Sequence, residues 1–198
     1  MEQSLPTIIS ASSPTLGARL TAPETQGAAA ELGRLAAGLG FAALYGLALG
    51  ARSGGMSLAQ HALAASAGLA AVATLGIPAL FVLLALVNAP VSPLAMVSAG
   101  ARSLASAGFV LAGLAPSAAL LSVTIESPDA AAFVTRAGLT LAGGIGLYQL
   151  TSAVRAMLKE LAPALRLKCN ALLFAFCVFA IMLAARVWHT LPILKGVA

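Results

Sequence analysis

Residues 53–101 read SGGMSLAQHALAASAGLAAVATLGIPALFVLLALVNAPVSPLAMVSAGA, 49 positions without a single Asp, Glu, Lys or Arg. A helix rises about 1.5 Å per residue and a bilayer's hydrocarbon core is about 30 Å thick, so about 20 apolar residues cross it once. This run is long enough to cross twice. It also holds its own turn, at Asn88-Ala89-Pro90, followed by Ser92-Pro93, a helix cap with proline at the first helical position. Further charge-free runs lie at 35–51, 103–125, 137–154 and 169–185. Together they predict an all-α integral membrane protein, a polytopic helical bundle with spans at about 31–51, 57–87, 92–123, 129–158 and 169–188. Pro78, after Gly76-Ile77, removes a backbone donor and is expected to kink the second helix near Thr74, and Pro116 to kink the third. A sixth crossing would need the second run divided at Pro78, which leaves 79–90 too short to span alone.

The composition points the same way. Of 198 residues, 60% are hydrophobic and 9% charged, with a mean hydropathy of +0.99. Soluble domains carry roughly 25% charged residues, so an ordinary soluble enzyme is excluded. The net charge of +5 comes from cations scattered between apolar runs, which argues for the positive-inside rule and against nucleic acid as a partner. Placing the N-terminus and the 155–168 connector in the cytoplasm puts Arg19, Arg34, Arg155, Lys159, Arg166 and Lys168 inside, against Arg52, Arg136, Arg186 and Lys195 outside. Eight of the eleven cations are Arg in an Ala-rich chain, which suggests a bacterial source and hence the cytoplasmic (inner) membrane. Residues 1–30 are rich in Ser, Thr, Pro and Gly and lack the basic-then-apolar order of a signal peptide, so a flexible N-terminal arm is expected ahead of a transmembrane domain at 31–198.

Helices in lipid gain little from hydrophobicity against each other and associate through small residues that let backbones approach. The first span has Gly38, Ala42, Gly46 and Gly50 at four-residue spacing, on one face. The fourth repeats the pattern with Gly138, Ala142 and Gly146. Spans one and four are therefore expected at the centre of the bundle, with the Leu- and Phe-rich fifth facing lipid or a partner.

Chemistry-bearing residues are sparse. Arg102 and Arg136 fall inside predicted helices, where a cation is costly unless paired, wetted or able to snorkel to the interface. If the 88–93 hairpin projects beyond the membrane, ALFVLLALV at 79–87 projects with it and needs something to cover it. The six carboxylates, Glu2, Glu24, Glu31, Glu126, Asp129 and Glu160, all fall in termini or connectors, so no membrane-embedded acid is expected. His61 and His189 have no ligand-forming neighbour at helical spacing, Cys169 and Cys177 are too far apart on one helix to pair, and no catalytic or nucleotide-binding motif occurs. No enzyme activity, cofactor or metal is expected.

The polar arm, about five spans, Gly76-Ile77-Pro78-Ala79-Leu80, and the later SAGFVLAGLAPSAALL around Pro116 resemble the Yip-type membrane proteins over about 55–155. That resemblance implies a helical membrane fold, with vesicle trafficking the role of its eukaryotic members, and implies no catalytic residue. Three functions follow as expectations: a non-catalytic subunit that anchors or scaffolds a larger membrane assembly, as one of several subunits or a homo-oligomer; a small anion-favouring channel or transporter lined by Arg102 and Arg136; or a lipid-interacting, membrane-shaping protein.

Overall fold

The computed structural model describes residues 28–51, 54–125 and 127–190. The described residues form five helices, α1 (Ala28–Gly50), α2 (Gly55–Leu86), α3 (Pro93–Thr124), α4 (Pro128–Met157) and α5 (Pro163–Thr190), all long and apolar enough to cross a membrane. The expected arm falls mostly at 1–27, outside the described residues, but Ala28, Ala29 and Ala30 already belong to α1. The basic connector is also shorter than expected. Helix α5 starts at Pro163, because proline suits a first helical turn, and so takes in Arg166 and Lys168.

Caps set two of the starts. The Ser92 hydroxyl accepts from the Ala95 N–H at 3.2 Å and that of Ser127 from the Ala130 N–H at 3.5 Å, each ahead of a first-turn proline. Asn88 ends the α2 turn in the left-handed region (φ 54°), which Asn tolerates better than most residues. Pro78 and Pro116 both lie inside unbroken helices, so the division that a sixth crossing needs does not occur. Each proline removes a single ladder bond, a loss that packed membrane helices accommodate.

Helix α3, not α4, shares the centre with α1. The two run parallel and make the closest contact in the bundle, while α2 packs antiparallel on α1 and α4 antiparallel on α3. At the crossing, a Cβ on Gly38 would lie 2.8 Å from the Leu104 carbonyl oxygen, and one on Gly108 would collide with the backbone of Gly38. The four-residue stripe of α1 thus serves two partners: Gly38 meets α3, whereas Gly46 and Gly50 meet the α2 backbone at His61-Ala62 and Leu58. Ala42, between them, is fully buried. On α4, Gly138 lies under the Tyr45 ring of α1, Ala142 is buried, and Gly146 faces Ser103 and Ala107 of α3.

Serines bind these close-packed pairs together. Ser66 of α2 donates to the Leu39 carbonyl (3.0 Å), Ser122 of α3 to that of Ala48 (3.2 Å), and Ser103 of α3 to that of Gly146 (2.6 Å). Interhelical bonds of this kind are worth about 0.6 kcal/mol each on average in membranes.

One face of the far end of the α2–α3 hairpin is covered from within the chain, while Val82, Leu86 and Leu94 stay exposed on the other. Leu80 and Leu84, with Met96 and Ala99, form one core cluster with Leu150, Val154 and Leu158 of α4 and Cys169, Leu173 and Phe176 of α5. That cluster covers the Leu80 and Leu84 face of the apolar 79–87 stretch and no more. Helices α2 and α3, at 32 residues or about 48 Å each, exceed the hydrocarbon core.

Gly108→Leu should lower stability by about 1–3 kcal/mol, the usual cost of overpacking, in SDS-induced unfolding of the detergent-solubilised protein. Gly113→Ala, also in α3 but with open space around it, should be neutral or gain up to about 1 kcal/mol from helix propensity.

Candidate functional site

One end of the bundle gathers the starts of α1, α3 and α5 with the ends of α2 and α4, and a buried ion pair sits there. Arg34 Nη1 donates to Glu31 Oε1 at 2.8 Å, one turn apart on α1, and both residues are more than nine-tenths buried. The Ser98 hydroxyl of α3 donates to the same oxygen at 2.8 Å. Glu31 is therefore not a connector carboxylate as the sequence led us to expect, but a packed group tying α1 to α3. Its place in the first turn of α1 also suits the positive end of the helix dipole. The signal for its burial was the Glu31/Arg34 spacing of three, while its cross-helix partner lies 67 residues away.

Arg102 stands one turn beyond Ser98 on α3, half-buried, and turns back toward the start of its helix, with Nε donating to the Ser98 carbonyl at 3.3 Å. That is the snorkelling direction. Arg102 also borders a cleft of about 60 Å³ between α3 and α4, whose other walls are Ala99, Ser106, Gln149 and Ala153.

Arg136 is exposed, near the opposite end of the bundle. The antiparallel register that sets Gly146 beside Ser103 and Ala107 places Arg136 level with about residue 115 of α3, or about 20 Å along the axis from Arg102. The two arginines line separate cavities and share no path among the described residues.

The cavity at Arg136 is the larger, a groove of about 510 Å³ between α4 and α5 with α2 and α3 as its floor. Helices α4 and α5 make little direct contact, and one place where they share a core is the cluster of Leu150 and Val154 with Leu173 and Phe176. The floor and walls are apolar, including Gly76, Ile77, Leu104, Leu139 and Leu147, and the wall is flattened by Gly143 and Gly144, neither of which has a neighbour within 4 Å of an added Cβ. Arg136, Trp188 and His189 line the open end. From Arg136 to Leu150 the groove runs about 20 Å, most of the way through a 30 Å hydrocarbon core. Nothing in the sequence signalled it, since it depends on the angle between two helices.

The other polar candidates are structural. His61 Nδ1 lies 2.8 Å from the Ser57 carbonyl in the first turn of α2, and Thr151 bonds back to the Leu147 carbonyl at 2.9 Å. Cys169 is buried in the core cluster and Cys177 partly buried. Among the described residues no three His, Cys, Asp or Glu side chains come together as a metal site.

Glu31→Ala should cost about 3 kcal/mol, since it breaks a buried pair, and Ser98→Ala about 1 kcal/mol. The double variant should cost less than the sum, because both changes remove the same bond; chemical unfolding of the four proteins in one detergent measures this.

The stretch that carries the Yip-type resemblance is built into the bundle: a Cβ on Gly76 would lie 3.8 Å from the Phe176 ring, and Ile77 fills the space over Gly100. No family model matches the chain, and no curated protein or solved structure matches it either.

Proposed function

We propose that this chain is a non-catalytic integral membrane protein that holds a single-chain amphiphile with an anionic head in the groove between α4 and α5. This is the lipid-interacting reading of the sequence, made specific. The groove carries it: about 510 Å³ is within the usual range for ligand sites, and the polar end offers a guanidinium, an indole N–H and an imidazole. Its length of about 20 Å and its apolar lining suit a hydrocarbon chain.

Orientation follows from charge. Among the described residues, the end that holds the ion pair has Arg34, Arg102, Arg155, Lys159, Arg166 and Lys168, and the groove's open end has Arg136 and Arg186. The positive-inside rule then supports a cytoplasmic N-terminus in a bacterial inner membrane, with the groove opening toward the outer leaflet.

Anchoring or scaffolding of a larger assembly is the second reading. It is favoured by α5, which packs mainly on α2 and turns Phe174, Val178 and Met182 outward. An anion path through Arg102 and Arg136 is the weaker reading, because the two residues line different cavities.

Delipidated protein in neutral detergent should bind a fluorescent fatty acid, and unlabelled fatty acid should displace it at least tenfold better than the matching alcohol. Arg136→Gln should remove that preference and Gly144→Phe, which fills the groove, should abolish binding of both. Equal displacement by acid and alcohol, or unchanged binding in Gly144→Phe, contradicts the proposal. Isolation in mild detergent as a stable complex with other subunits, without fatty acid binding, would favour the scaffold.

A further inference from the structure

The small cleft between α3 and α4 has a chemistry different from that of the groove. Ser106 is 8% exposed, and its Oγ lacks a hydrogen-bond partner among the described residues. A buried hydroxyl left unbonded is costly, and the cleft it borders, at about 60 Å³, is well above the 10–15 Å³ that one water needs. Something polar belongs there.

Charge says which kind. Arg102 also lines this cleft, and among the described residues no carboxylate pairs with it. The nearest acid by connection is Glu31, reached through Ser98, whose hydroxyl donates to Glu31 and whose carbonyl accepts from Arg102. Glu31 Oε1 is already bonded to Arg34 and to Ser98. Arg102 is half-buried, so its head reaches toward the interface while its flank borders the cleft, where an anion would find a counter-charge.

The side chains around the cleft can all donate. A guanidinium has five N–H donors, of which Nε–H goes to Ser98; Ser106 supplies an O–H and Gln149 an amide N–H₂. No carboxylate borders the cleft, and Ala99 and Ala153 leave the remaining walls apolar. Water would satisfy the Ser106 hydroxyl but leave Arg102 uncompensated, and the narrow space disfavours a substituted phosphate or carboxylate.

We infer that Arg102, Ser106 and Gln149 form a binding site for a small monovalent anion of the halide class between α3 and α4. The site is a cavity separate from the amphiphile groove, whose arginine, Arg136, lies nearer the other end of α4. It requires no transport, since the groove and the cleft do not join.

Thermal unfolding of the purified protein in neutral detergent, titrated with sodium chloride or bromide against sodium gluconate at constant ionic strength, tests it. The wild-type midpoint should rise saturably with halide and not with gluconate. Arg102→Gln should abolish the halide-dependent rise, and Ser106→Ala should weaken the apparent halide affinity about three- to tenfold. Arg136→Gln, in the groove, should leave the halide response intact, which separates this site from the amphiphile site. Ser106→Ala removes an unbonded hydroxyl and should fold, so its response stays readable even where Arg102→Gln is unstable. Equal midpoints in halide and gluconate for the wild type would mean that the cleft holds water only and would overturn the inference, as would an unchanged halide affinity in Ser106→Ala.

Discussion

Two backbones cross in van der Waals contact where Gly38 of α1 meets Gly108 of α3, and the rest of the bundle is arranged around that crossing. In lipid the alternative to helix–helix contact is contact with acyl chains of similar polarity, so association depends on how closely backbones pack and on what they bond once there. With no side chain at either position, the helices approach until the Gly108 Cα faces the Gly38 carbonyl. That approach puts Ser98 within reach of Glu31 at one end and Ser122 within reach of the Ala48 carbonyl toward the other. The bonds follow from the contact.

The same logic ranks the other helices. Helix α2 reaches α1 through Gly46 and Gly50, and α4 reaches α3 through Gly146, each pair adding a serine-to-carbonyl bond. Helix α5 has no glycine of its own and packs by side chains, through Leu173 and Phe176 at one end and Trp188 at the other. It cannot lie close against α4, and the space left between them is the groove. The cavity that supports the proposed function thus lies beside the one described helix without glycine.

Much of this was legible in the residues. Charge-free length gave the five spans, Ser92-Pro93 marked a helix start to within a residue, and the Gly38–Gly50 spacing marked a packing face. The centrality of α3 was not visible, because Gly100 and Gly108 are separated by Leu104 at the intermediate step and so do not read as a small-residue stripe. Nor was it visible that the α1 stripe would divide between two partners. Glu31 looked like a boundary residue since burial of a carboxylate depends on Ser98, far away in sequence. Pro78 offered a place to divide the second run into a sixth crossing, but the helix continues through it, and the loss of one ladder bond is small beside the packing of Leu80 and Leu84 that follows. Of the candidate site, Arg102 and Arg136 were recognisable as unusual, whereas their assignment to separate cavities required the register between α3 and α4.

Glycine-selective ¹³C labelling with solid-state NMR in lipid bilayers addresses the central crossing directly, because both partners are glycine and few other labelled pairs come close. The account predicts a short-mixing cross-peak between the Gly38 and Gly108 Cα resonances, lost when either is replaced by leucine. Assigned Gly38 and Gly108 resonances with no cross-peak between them would show that α1 and α3 do not meet there, and the arrangement built on that contact would fall.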